Sequence, residues 1–117
     1  MSRGRTATVA AAAPLFAALG DETRLSVVAR LCNGGPQSIV GLTRGTKVSR
    51  QAITKHLHAL AEAGVVRSTR EGRERIWEVR TRRLAEARGW LDQISARWDE
   101  ATDRLRALVE RAQPRGP

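Results

Sequence analysis

The sequence has 117 residues, 41% of them apolar and 28% charged, which is enough for one domain with a modest core and excludes wholesale disorder. One cysteine, Cys32, and two histidines exclude an internal disulfide and a four-ligand Cys/His zinc site within one chain. Lys and Arg outnumber Asp and Glu by 21 to 12, a net charge of +9, and a small basic domain of this kind meets polyanions readily.

No apolar run approaches the ~20 residues that span a bilayer. The Ala-rich start, with Arg3 and Arg5, lacks the Leu/Val-rich core of a signal peptide. A cytoplasmic chain in a reducing compartment, with no membrane partner, is expected. The charge is uneven: residues 1–80 hold +7 of the +9. Between Glu22 and Glu62 there is no acid, yet Arg24, Arg30, Arg44, Lys47, Arg50 and Lys55 lie there. So long a stretch without carboxylates reads as a polyanion-facing surface.

In chain order, residues 1–13 are read as a flexible N-terminal arm. Val9 to Leu19 nevertheless has helical spacing, with Pro14 either in the first turn or at a kink. Asp21 is a good N-cap for a second helix carrying Leu25, Val28, Ala29 and Leu31 or Cys32. Asn33-Gly34-Gly35-Pro36 stops it. Cys32 is expected to be a buried small hydrophobe.

Ser38 then caps a short helix with Ile39 and Leu42, ended by Gly45. Thr46-Lys47-Val48 is a tight turn, and Ser49 caps a longer helix that runs to Ala63 with Gly64 beyond it. This pair is a helix-turn-helix. Val65 to Arg70 and Arg75 to Val79 are strand-like, joined by Glu71-Gly72-Arg73-Glu74, with Trp77 and Val79 on one face. A hairpin tipped with arginine directly after a helix-turn-helix has the form of a DNA-binding wing.

From Arg82 to Ala112 there is no Pro and one Gly, and Leu84, Ala87, Leu91, Ile94, Trp98, Ala101, Leu105, Leu108 and Ala112 recur at alternating steps of three and four. This is a heptad seam on a helix about 46 Å long, too long for a small core to cover. Leu91, Ile94, Trp98, Ala101, Leu105 and Leu108 are expected to meet a second copy. The architecture expected is mainly α with a small β-hairpin wing. It comprises a winged helix-turn-helix over 14–80, a long C-terminal dimerisation helix over 81–112 and a tail over 113–117.

On the Ser49–Ala63 helix, Ile53, Leu57 and Leu60 stack toward the core, and the opposite side shows Gln51, Thr54, Lys55 and His58, with Glu62 a turn further on. Gln51, Thr54, Lys55 and His58 are side chains suited to reading bases in a major groove. Lys47, Ser49 and Arg50 at the helix start, with Arg70, Arg73 and Arg75 of the wing, are suited to the DNA backbone or minor groove. His56 is rotated toward the core side and reads as a packing or orienting residue.

Two stretches resemble the ArsR/SmtB-type winged-helix family: Leu19-Gly20-Asp21-Glu22-Thr23-Arg24-Leu25, and Val48 through Leu57 followed by Ala63-Gly64-Val65-Val66 and Arg70-Glu71-Gly72-Arg73. The resemblance covers about residues 14 to 112. It implies a homodimeric transcriptional repressor, joined through its first and last helices, on a pseudo-palindromic operator near its own promoter. The metal-binding cysteine positions of the family fall here at Ser38 and Val40, and the last helix holds no His. No metal and no cofactor are therefore expected. Trp90-Leu91 and Trp98 resemble a non-metal-sensing subgroup.

An enzyme is not expected, because Cys32 and His56 or His58 fall on different helices with no acid pair or phosphate loop beside them. Two alternatives stand beside the specific repressor. One is a repressor released by a small molecule held near Trp90 and Trp98. The other is an architectural protein that binds DNA without sequence preference.

Overall fold

The computed structural model describes residues 8–113. Residues 1–7 and 114–117, which hold much of the expected arm and tail, lie outside the described residues. Five helices and one hairpin follow in the order α1 Val9–Leu19, α2 Glu22–Gly34, α3 Ile39–Thr43, α4 Arg50–Glu62, β1 Val66–Glu71, β2 Glu74–Val79 and α5 Thr81–Ala112. Two compact units divide α5 between them, one up to Ala87 and one from Arg88.

The expected arm is shortened, because residues 9–13 are already helical. The Thr8 hydroxyl accepts the Ala11 N–H at 3.1 Å and so caps α1. Pro14 lies inside the helix rather than in its first turn. The carbonyl it leaves without a donor belongs to Ala10, which is exposed and open to water.

The caps of α2, α3 and α4 share one chemistry. Asp21, Ser38 and Ser49 each accept the backbone N–H three residues on, at 3.0, 3.2 and 3.1 Å. The end of α4 closes with equal economy. Gly64, at φ 80°, donates to the Ala61 carbonyl and Val65 donates to that of Leu60, the paired bonds that a left-handed glycine makes possible. Arg83, in the first turn of α5, adds a bond from Nε to the Ala63 carbonyl at 2.8 Å.

Val27, Val28 and Leu31 form the buried arc of α2, whereas Leu25 is 53% exposed and Cys32 is exposed. Of the expected core row, Val28 and Leu31 are inside, whereas Leu25, Ala29 and Cys32, also placed inward, are exposed. Those three lie roughly 90–150° around the helix from the buried arc. Both arcs satisfy the same spacing, and the packing of α2 selects the valine side.

The core joins that arc to Leu15 and Ala18 of α1, Leu42 of α3, Ile53, Leu57 and Leu60 of α4, and Val65, Val66, Trp77 and Ala87. Leu84 packs against it, so the opening turns of α5 belong to the core. The strands pair antiparallel from Val66↔Val79 to Glu71↔Glu74. Their connection is only Gly72-Arg73, shorter than the expected four residues, because Gly72 at φ 64° supplies the first position of a tight hairpin turn. Gln37 adds a short third rung, exchanging backbone bonds with Trp77 at 3.0 and 2.8 Å.

Beyond Ala87, α5 leaves Leu91, Ile94, Trp98, Leu105 and Leu108 between 48% and 68% exposed, while Ala101 is half-buried. Among the described residues no helix is long and apolar enough to cross a membrane.

Leu57 has no solvent exposure, and Leu57→Ala is expected to lower the unfolding free energy by about 3 kcal/mol. The reading is a lower urea midpoint at unchanged slope. Leu25→Ala, on the exposed side of α2, is expected to change it by less than about 1 kcal/mol.

Candidate nucleic-acid interface

The core holds α4 through Ile53, Leu57 and Leu60, each 2% exposed or less. That fixes which side faces out. Gln51, Lys55 and His58 are exposed there, and Thr54 is half-buried beside them. The Thr54 hydroxyl donates to the Arg50 carbonyl at 2.8 Å. Its proton is thus taken within the helix, leaving the methyl and an oxygen lone pair to face outward. Lys47, Ser49 and Arg50 are exposed at the start of α4. The Ser49 oxygen is engaged as the cap, and its O–H remains a donor.

His58 is less free than its position on the helix implies. Its ring lies 6.0 Å from that of the buried Trp77, tilted by 48°, so β2 supports it from one side. His56, expected to orient or pack, is half-buried and accepts a bond at Nδ1 from Arg24 Nε at 3.3 Å. The 3.9 Å approach of Asp21 Oδ2 to the same atom is then a proximity, not a hydrogen bond. The Arg24 backbone N–H, donating to Asp21, holds that carboxyl below its usual range, with the charges of His56 and Arg24 adding to the effect.

On the wing, Arg70, Arg73 and Arg75 are all exposed. The register sets Arg70 directly opposite Arg75, a like-charge pair that costs stability in the free protein. Arg75 Nη1 is drawn aside to Ser68 Oγ at 2.9 Å. Further down, Arg67 is neutralised by Glu78 at 2.7 Å. Uncompensated cation therefore concentrates toward the hairpin tip, although Glu71 and Glu74 flank the turn and temper it.

Three contributors had no clear signal in the sequence. Arg24 lines a shallow groove of about 590 Å³ with Lys55, His56, His58 and Glu62. Arg83 braces the end of α4, and Gln37 ties the wing to the segment before α3. Arg24 stood out only as one base in the acid-free stretch and as a member of the first family-like stretch. Its reach across to α4 depends on a tertiary contact. Among the described residues no group of three or more His, Cys, Asp or Glu side chains is placed to hold a metal ion.

Comparisons with known proteins agree with this geometry. Residues 19–69 match a helix-turn-helix domain family. The chain is 36% identical over 93 residues to the HTH-type transcriptional regulator Rv2034 of Mycobacterium tuberculosis, covering 80% of this chain and 83% of that protein. It is 33% identical over 85 residues to the uncharacterized HTH-type transcriptional regulator YuzN of Bacillus subtilis, covering 67% of this chain and 92% of that one. An ArsR-like transcriptional regulator from Rhodococcus sp. RHA1 has a similar structure, with a TM-score of 0.82 and 36% identity over 90% of this chain and 95% of that one.

Asp21→Asn keeps the capping oxygen but removes the charge. A carboxyl with a lowered folded-state pKa contributes stability above its ordinary value of 3.8, and loses it as pH falls through the lower folded value. The melting-temperature advantage of the wild type over Asp21→Asn is therefore expected at neutral pH and should vanish in acid. An advantage undiminished at low pH would contradict it.

Proposed function

This chain belongs to the ArsR-type family of helix-turn-helix transcriptional regulators; it is a DNA-binding regulator of that type and not an enzyme, and we propose that it is a cytoplasmic, homodimeric, autoregulatory repressor of a pseudo-palindromic operator. One observation carries the reading: α4 is locked by its apolar side and presents Gln51, Lys55 and His58 outward, with no carboxylate before Glu62. Gln51 can pair with adenine, Lys55 can reach guanine acceptors or phosphate, and the Thr54 methyl can meet a thymine methyl. Lys47, Ser49, Arg50 and the wing arginines Arg70, Arg73 and Arg75 would anchor the phosphates.

The exposed row on α5 supports the dimer. Leu91, Ile94, Trp98, Leu105 and Leu108 are each about half exposed or more, and a second copy would cover them together with Ala101 in heptad register. Two-fold symmetry would then set the two α4 helices about one DNA turn (~34 Å) apart, entering successive major grooves. Occupancy of an operator that overlaps a promoter excludes polymerase.

The test is fluorescence anisotropy at physiological salt, on DNA from upstream of the protein's own gene and on its shuffled sequence. A preference of about a thousandfold or more is expected; equal affinity for both would favour the architectural alternative. Gln51→Ala is expected to relax the preference, whereas Arg73→Ala should weaken both DNAs alike and flatten the salt dependence. Ile94→Glu and Leu105→Glu are expected to give monomers with lost operator affinity. Sedimentation showing a monomer that still binds in full would overturn the dimer.

A further inference from the structure

We propose that Arg24, in the first turn of α2, is a phosphate-binding residue of the DNA interface, and that His56 of α4 is its positioning residue. The proposal rests on the reading of α4 as the DNA-reading helix and extends the interface onto a second helix. Three observations lead to it.

Arg24 is tied at both ends of its side chain's reach. Its backbone N–H donates to Asp21 at 3.0 Å, and its Nε donates to His56 Nδ1 at 3.3 Å. The second bond uses one of five guanidinium donors. Both terminal Nη groups remain without a partner among the described residues.

Its guanidinium also makes no close ion pair. Among the described residues no carboxylate comes within ion-pair distance of the Arg24 guanidinium, and Asp21, which accepts the Arg24 backbone N–H, feels its charge from further off. A half-buried arginine is usually given a carboxylate; the nearest partner of this one is an imidazole nitrogen.

Finally, the free end of Arg24 lines the groove that Lys55 and His58 share, where Glu62 is the only carboxylate. The groove runs along the flank of α4 beside the side that carries Gln51. When a helix lies in a major groove, sugar–phosphate backbone rises along that flank. An oriented guanidinium fork next to a lysine suits the two free oxygens of one phosphate. A strut between α2 and α4 would need only the Nε bond and no positive charge, which is the rival account.

The experiment is the same anisotropy titration run as a salt series on upstream and shuffled DNA, with melting temperatures as a fold check. Arg24→Gln is expected to weaken both DNAs by about tenfold and to lower the slope of log K against log salt by about 0.9, the loss of one phosphate contact. Arg24→Lys keeps the charge and should keep the slope, while losing affinity with the fork. His56→Ala should weaken binding in the wild-type background but not further in Arg24→Gln, and His56→Gln, whose carbonyl can still accept from Nε, should restore it.

A wild-type slope in Arg24→Gln, where Arg73→Ala does lower it, would overturn the proposal and leave the DNA-binding reading intact. So would an equal loss of slope in Arg24→Lys and Arg24→Gln, which marks a strut. A wild-type protein whose DNA affinity ignores salt would remove the DNA-binding reading and this proposal with it.

Discussion

The rest of the structure depends on the burial of Leu57 and Leu60. Neither has any solvent exposure, and together with Ile53 they fix the rotation of α4 about its own axis. A rotation of one residue's worth, about 100°, would carry Gln51 and Lys55 away from the outer side. The ends of the helix are held as firmly as its side. Ser49 satisfies the first turn, and the Gly64 bonds with Arg83 satisfy the last. With rotation and both ends fixed, an outward side chain has a defined place in space, which is what a groove-reading helix requires.

Two features of the basic surface are suited to a polyanion partner. Arg70 opposite Arg75 on the hairpin is one. The half-buried Arg24, with an imidazole where a carboxylate would normally stand, is another. The contrast with Arg67, matched to Glu78 at the far end of the same hairpin, shows that pairing was sterically available on this scaffold. Neutralised and bare arginines occupy different ends of one two-stranded sheet, so the charge is distributed by position and not by composition alone.

Much of this fold was legible in the sequence because its signals are local. A capping oxygen at Asp21, Ser38 or Ser49 acts on an N–H three residues away, and Gly64 and Gly72 mark positive φ where turns need it. The outward side of α4 was legible too, since one helix with one apolar row admits one rotation. On α2 two apolar arcs met the spacing rule, and periodicity relates residues within a helix without saying which arc a neighbour will take. Hence Leu25, Ala29 and Cys32 were placed inward and are exposed. The engaged Thr54 hydroxyl, the Arg24–His56 bond and the Gln37–Trp77 rung were hidden for related reasons. The first follows from rotamer choice, and the others join residues more than thirty apart in sequence.

The Arg24–His56 bond also explains why the two family-like stretches belong together. Asp21 and Arg24 come from the first and His56 from the second, and His56 Nδ1 lies 3.3 Å from Arg24 Nε and 3.9 Å from Asp21 Oδ2. The residue that caps α2 thus approaches the same imidazole nitrogen that accepts from Arg24. The start of α2 is thereby joined to the flank of α4 by a contact outside the apolar core. The core sets where α4 lies and how it is turned. This polar contact, about 100° around the helix from Leu57, decides what charge stands beside it.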